Sequence, residues 1–271
     1  MIRAKLPLPL VVVAVALAAC ATTATAASKI EGIWSFNGGQ IAIQPLANGT
    51  YAGTVVAETK FAECTHPVGQ QIWSNIRLQP DGSYWGFHQW YFETSSCQPN
   101  HTLGPTAWRV LEGTGGSHYL RACFSSPGTS QPTIAASGAG ANVTYGCANS
   151  ALIAPLPTAA SRSKALRRSV VLPKTSKCFS RRVFQIHLHN PKNDPLKEVV
   201  VKIKGRRIAA VRQAGTIVAT ISLKGLPKGA FTVKIRAVTV LGHSLSESRT
   251  YHTCVRKAPR KKSNAKSPHH A

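Results

Sequence analysis

The feature that most limits how this chain can fold is the division of its charge. Residues 28–150 carry five Lys+Arg and six Asp+Glu, whereas residues 151–271 carry 26 against three; Arg3 and Lys5 complete the net +24. Aromatic residues divide the other way, with all five Trp, five of six Tyr and five of eight Phe in 28–150. A near-neutral, tryptophan-rich half and a strongly self-repelling basic half read as two unlike modules. The hydrophobic fraction of 43% is enough for packed cores and excludes wholesale disorder. Residues 154–177, with Pro155, Pro157 and Pro173 among scattered Ser, Ala and Arg, read as a disordered basic linker.

The N-terminus reads as an address. Arg3 and Lys5 precede an apolar run from Leu10 to Ala19, shorter than the about 20 residues that a spanning helix needs, so 1–27 is expected to be an export signal. Leu17-Ala18-Ala19-Cys20 resembles a bacterial lipobox, which implies lipid on Cys20 and anchoring to the outer face of a membrane. Cleavage after Ala24-Thr25-Ala26 is the alternative and implies free secretion. Either outcome places the mature chain outside the cell or in its envelope. Without Cys20 an even set remains, Cys64, Cys97, Cys123, Cys147, Cys178 and Cys254, suited to disulfides in an oxidising compartment. No C-x-x-C occurs, so neither a zinc knuckle nor a redox dithiol is expected.

In 28–153 the apolar runs are short and turn signals dense, which predicts β-structure throughout. Ile41 and Ile43 alternate with polar neighbours before Asn48-Gly49, Tyr51–Val56 follows, and Pro80-Asp81-Gly82 joins Ile72–Leu78 to Tyr84–Phe92. Thr106–Leu111, His118–Phe124 and Val143–Cys147 are further candidates. Seven or eight hairpin-linked strands form a meander that loses its edges by closing into a barrel. The four cysteines here allow three connectivities; Cys64–Cys97 and Cys123–Cys147 are favoured because each encloses one compact excursion. Trp73, Trp85, Trp90, Tyr91 and Trp108 either fill the interior or line a cavity for an apolar small molecule. His66, His88, His101 and His118 are dispersed and read as surface or core residues, not metal ligands.

Gly32-Ile33-Trp34 at the first strand, Tyr119-Leu120-Arg121-Ala122-Cys123 in a late one and the Gly82-Ser83-Tyr84-Trp85-Gly86 run resemble the calycin group of lipocalin-like barrels, including small exported bacterial members of unknown function. The resemblance implies that Arg121 lies over Trp34 at the closed barrel end, a cation–π contact of about 0.5–2 kcal/mol. An aromatic-Thr-Arg closing segment is missing, which bears on full closure.

In 178–255, Val199, Val201 and Ile203 alternate with Lys202 and Lys204, and further alternating runs follow at Ile208–Val211, Ile217–Leu223, Phe231–Val240 and Leu245–Tyr251. Six or seven strands with one apolar and one basic face predict a small sandwich. The segments Cys178-Phe-Ser-Arg-Arg, Val200-Val-Lys-Ile-Lys-Gly, Leu223-Lys-Gly-Leu-Pro-Lys-Gly and Thr250-Tyr-His-Thr-Cys254 resemble bacterial immunoglobulin-like domains of actinobacterial surface proteins. A Cys178–Cys254 disulfide is expected to bracket this module and stabilise it by about 4–5 kcal/mol in the chain-entropy model. His187 and His189 share a strand face without a third ligand and read as a solvent-facing pair.

The expected fold is therefore all-β, a meander barrel plus an immunoglobulin-like sandwich. Residues 256–271, with Arg256, Lys257, Arg260, Lys261 and Lys262, form a disordered basic tail. One-sided charge attracts anions, so the expected partner is an anionic envelope surface, lipid head groups or cell-wall polymers. Nucleic acid is disfavoured because the basic module has one tyrosine and no tryptophan to stack bases. No nucleophile motif, phosphate loop or paired-carboxylate strand appears, so the protein is read as non-enzymatic and without a cofactor. The alternative is a secreted hydrolase, carbohydrate-active or other, using Glu93 with Glu58 or Glu63.

Overall fold

The computed structural model describes residues 30–61, 64–90, 102–175, 183–213, 215–224 and 229–254. The first unit contains β1 (Gly32–Phe36), β2 (Gly39–Pro45), β3 (Tyr51–Ala57), β4 (Thr59–Phe61), β5 (Cys64–His66), β6 (Gln71–Leu78), β7 (Tyr84–Gln89), β8 (Leu103–Glu112), β9 (His118–Phe124), β10 (Thr133–Ile134), β11 (Gly140–Ala141) and β12 (Gly146–Ala154). Eight strands close a barrel in the order β1-β2-β3-β6-β7-β8-β9-β12, and β12 returns to β1 through the Ile33–Ala154 and Trp34–Leu152 pairs. The β4–β5 and β10–β11 pairs are excursions from this wall.

Hairpins turn at Asn48-Gly49 and Asp81-Gly82, where the sequence places them. The closing strand lies later than the expected Val143–Cys147, running from Gly146 to Ala154. Alternation sends Trp34 and Phe36, Ile41 and Ile43, and Leu120, Ala122 and Phe124 into one inner cluster. On the outside of β8 and β9, Ala107, Cys123 and Ile134 form a separate buried cluster with Val143 and Cys147. Cys123 and Cys147 are cross-strand neighbours and are joined by a disulfide. Cys64 and Cys254 are each disulfide-bonded; Cys97 and Cys178, the partners expected for them, lie outside the described residues.

The second unit holds α1 (Ala159–Ser169), β13 (Val170–Val171), β14 (Val183–His189), β15 (Leu196–Ile203), β16 (Arg206–Ile208), β17 (Ala210–Gln213), β18 (Thr216–Ser222), β19 (Ala230–Thr239) and β20 (Ser244–His252). Two four-stranded antiparallel sheets, β13-β14-β18-β17 and β16-β15-β19-β20, enclose one core of Ile186, Leu188, Val201, Ile217, Val233, Ile235 and their neighbours.

The segment expected to be a disordered linker is corrected by this unit. Thr158 caps α1, its hydroxyl accepting the Ser161 N–H at 3.2 Å, and Arg167 and Arg168 in the last turn suit the helix dipole. Leu166, Val170 and Leu172 are buried in the two-sheet core, and β13 pairs with β14. The two units also pack directly. Leu241, in the turn between β19 and β20, is buried with Ile33, Ala42 and Val56, against Val240, Ala154 and Leu156. Asp194 holds that turn: its Oδ1 accepts the Leu241 N–H at 2.9 Å, and its Oδ2 lies 3.3 Å from His243 Nδ1.

Because Leu166 is a core residue, Leu166→Ala is expected to lower unfolding stability by about 2–4 kcal/mol. Thermal or denaturant unfolding of the full chain measures this, and a change near zero is the result a free linker would give.

Candidate functional site

Three of the five residues expected around a barrel cavity come together. Trp73, Trp90 and Trp108 are buried in the inner cluster, with Trp73 and Trp108 ring centroids 5.5 Å apart and Phe36 edge-on to Trp73 at 5.1 Å. Trp85 is not among them: it alternates with Tyr84 and Gly86 onto the outer face, where it is 37% exposed. Tyr91 lies outside the described residues. The Trp73 ring lies against the backbone of Gly53, where a Cβ would stand 2.7 Å from it, so the wall itself is shaped to take the indole. The three inner tryptophans belong to one buried cluster with Phe36, Tyr84 and Phe124.

The Trp34–Arg121 stack is not made. Trp34 is fully buried and its indole N–H donates to the Ile30 carbonyl at 2.9 Å. Arg121 falls between Leu120 and Ala122, both inner residues, so its side chain leaves on the outer face and donates to Asn149 Oδ1 at 2.9 Å. The buried arginine of the barrel is Arg109. Its Nε donates to the Ile134 carbonyl at 2.8 Å, and its Nη1 and Nη2 donate to the carbonyl and carboxylate of Asp81 at 2.9 and 2.6 Å. It thereby ties β8 to the β6–β7 turn and to the excursion that carries β10. Ser83, through its hydroxyl and N–H, and the Arg109 charge hold the Asp81 carboxyl below its ordinary pKa.

Among the described residues most cations of the second unit are exposed, Arg162 and Arg249 being partly buried, and few have an anionic partner. Among the described residues the ion pairs of Lys and Arg are Arg109–Asp81 and Arg249–Glu247, with His243 Nδ1 in contact with the Asp194 carboxylate at 3.3 Å, and only Arg249–Glu247, at 4.0 Å, uses a Lys or Arg of the second unit. His187 and His189 face solvent from β14, and no group of three metal-ligating side chains is found among the described residues. Cys20 and the tail residues Arg256, Lys257, Arg260, Lys261 and Lys262 lie outside the described residues, as do His101, Glu63 and Glu93.

Inside the barrel the unexpected polar feature is a histidine pair. His66 and His88 are both fully buried with ring centroids 6.3 Å apart, and Trp73 Nε1 donates to His88 Nδ1 at 3.0 Å. That bond requires Nδ1 to be an acceptor, so His88 is neutral. Burial, reinforced by repulsion from His66, pushes its pKa down to about 3, and burial also lowers that of His66. His88 shares the inner parity of Tyr84 and Gly86, which was the signal available in the sequence. The native state then binds fewer protons than the unfolded chain. Stability is expected to be full above about pH 6.5 and to fall toward pH 3, by up to about 1.4 kcal/mol per pH unit for His88. Denaturant unfolding across this range measures the slope, and His88→Gln, which keeps an acceptor for Trp73, should flatten it.

No protein-family model matches the chain, and no curated protein matches it in sequence.

Proposed function

We propose that this chain is a non-enzymatic, exported protein of the cell envelope, held at an anionic surface by the charge of its second unit. The observation that carries the reading is the mostly exposed positive charge of that unit, almost unpaired among the described residues, beside a near-neutral barrel. The signal-like residues 1–27 supply the export step, and a lipid on Cys20 would add a second anchor.

The barrel is read as lipocalin-like, supported by eight antiparallel strands closed in meander order. The second unit is read as immunoglobulin-like. Its sheets correspond to strands A-B-E-D and C′-C-F-G, with β13 as A and β20 as G. The non-enzymatic reading draws support from the two aspartates of the chain, since Asp81 and Asp194 are both engaged in structural bonds. The packing of Trp73, Trp90 and Trp108 favours a filled interior over an apolar ligand in the barrel.

The test is co-sedimentation of the unlipidated full chain with anionic and neutral vesicles across a salt series. Binding to anionic vesicles at low salt, released as screening shortens to about 8 Å near 0.15 M, is expected. Equal binding to both vesicle types, or none to anionic vesicles at low salt, would reject it.

A further inference from the structure

The positive charge of the second unit is not spread evenly over its two sheets. Across the outer face of β13-β14-β18-β17 the register reads Val171, His187, Val218, Val211, and no outward position within these four strands is a Lys or Arg. Across the outer face of β16-β15-β19-β20 the corresponding row reads Arg207, Lys202, Lys234, Ser248. Arg236 and Lys204 extend this row on either side, Arg236 opposite Val200 and Lys204 in the turn that leaves β15. All five cations are exposed, and none is in an ion pair among the described residues. The carboxylates nearby are Glu198, at the far end of β15, and Glu247, which is engaged with Arg249.

Two adjoining hollows run along this face. One, of about 580 Å³, is bordered by Lys202, Lys204, Phe231, Thr232 and Lys234, and the other, of about 550 Å³, by Lys202, Arg207, Lys234 and Arg236 with Val200, Ser246 and Ser248 and, as its one carboxylate, Glu247. Lys202 and Lys234 border both, so the cation pair sits midway along one groove. Ser246, Ser248 and Thr250 line β20 on the same face, and Thr250 shares a hydrogen bond with Thr232 at 3.0 Å. Strands about 4.8 Å apart and side chains repeating about every 6.7 Å along each strand set the cations at regular intervals.

We infer that this face is a binding site for a linear polyol-phosphate polymer, whose phosphodiesters meet the Arg207–Lys202–Lys234 row and whose hydroxyls meet the Ser/Thr strand. The inference rests on the anionic-surface reading above and narrows it to one face and one ligand class. A groove on a twisted sheet suits a flexible chain better than a flat bilayer. The outer positions of β15, β19 and β20 hold no Trp, Tyr or Phe; half-buried Val200 and Val238, small Ala230 and, at the end of β20, His252 are the apolar and ring side chains there, so the face offers bilayer lipid no large anchor and nucleobases little to stack on. Charge complementarity carries the assignment, because Lys202 stands directly opposite Lys234 and their repulsion is relieved by an anion lying between them.

The test uses the full chain with poly(glycerol phosphate), anionic vesicles and single-stranded oligothymidylate as probes. Lys202→Gln/Lys234→Gln is compared with Lys174→Gln/Lys224→Gln, an equal charge loss at exposed positions off this face. The row variant should lose on the order of tenfold in affinity for the polymer, and its plot of log K against log salt should flatten by roughly two. The control should keep the wild-type salt slope, and the row variant should unfold no more readily than wild type. Equal losses in the two variants would overturn the inference while leaving the electrostatic anchor standing. Tighter binding of oligothymidylate than of the polymer, or an equal loss of vesicle binding in the row variant, would reassign the face. A wild-type chain that binds no probe at low salt would remove the anchor itself.

Discussion

The pairing of β1 with β12 is the constraint on which the rest of the molecule depends. β12 ends paired with the start of β1, Ala154 opposite Ile33, and the chain leaves there on the barrel's outer surface. Gly32 makes the junction possible, since at φ +157° a Cβ there would stand 2.7 Å from Leu152. From that exit Leu156 packs against the turn between β19 and β20, and α1 follows within a few residues. Closing the barrel therefore also sets where the second unit docks. The point at which the closing strand ends, more than any linker property, relates the two halves.

Polar side chains are handled in opposite ways by the two units. In the barrel Arg109 is surrounded by acceptors and His88 is held neutral beside Trp73, as removal from water demands. On the basic sheet like charges stand opposite each other with no acid between them. The magnitudes explain why that is tolerated. A cross-strand pair of this kind matters at the level of about 0.2–1 kcal/mol. Burying one Ile or Val side chain contributes about 1.5–3 kcal/mol, and the same strands bury Val201, Ile203, Val233 and Ile235 on their other face.

Much of this was legible in the sequence, because it rests on period-two alternation. The strands around Asn48-Gly49 and Asp81-Gly82, the all-β class and a count of seven or eight barrel strands follow from local pattern; the Cys123–Cys147 bond belongs to one of three open connectivities, favoured for the compact excursion it encloses. The motif resemblance places Arg121 over Trp34, but parity decides its direction: apolar Leu120, Ala122 and Phe124 send residue 121 outward. The helix at 159–169 was hidden for a different reason. It docks through Leu166 with no apolar stripe to announce it, and its capping Thr158 is a weak signal alone. The basic face was half visible. Alternation marked Lys202 and Lys204 as outward, but the cross-strand register that sets Lys202 beside Lys234 and Arg207 is a tertiary fact.

That register also separates the basic row from the barrel. Leu241 and Val240 make the contact with the first unit, whereas Lys234 lies six residues back along β19 from Val240. At about 3.3 Å per residue the row is roughly 20 Å from the contact. Screening at physiological salt acts over about 8 Å, so acidic residues on the far side of that contact do little to compensate it. The two units are joined mechanically by apolar packing at one end of β19 and are nearly independent electrostatically. A barrel of almost any surface charge could be carried there without altering the field of the basic sheet. The division of charge along the chain thus becomes a division in space, with the open positive face set away from the end that holds the barrel.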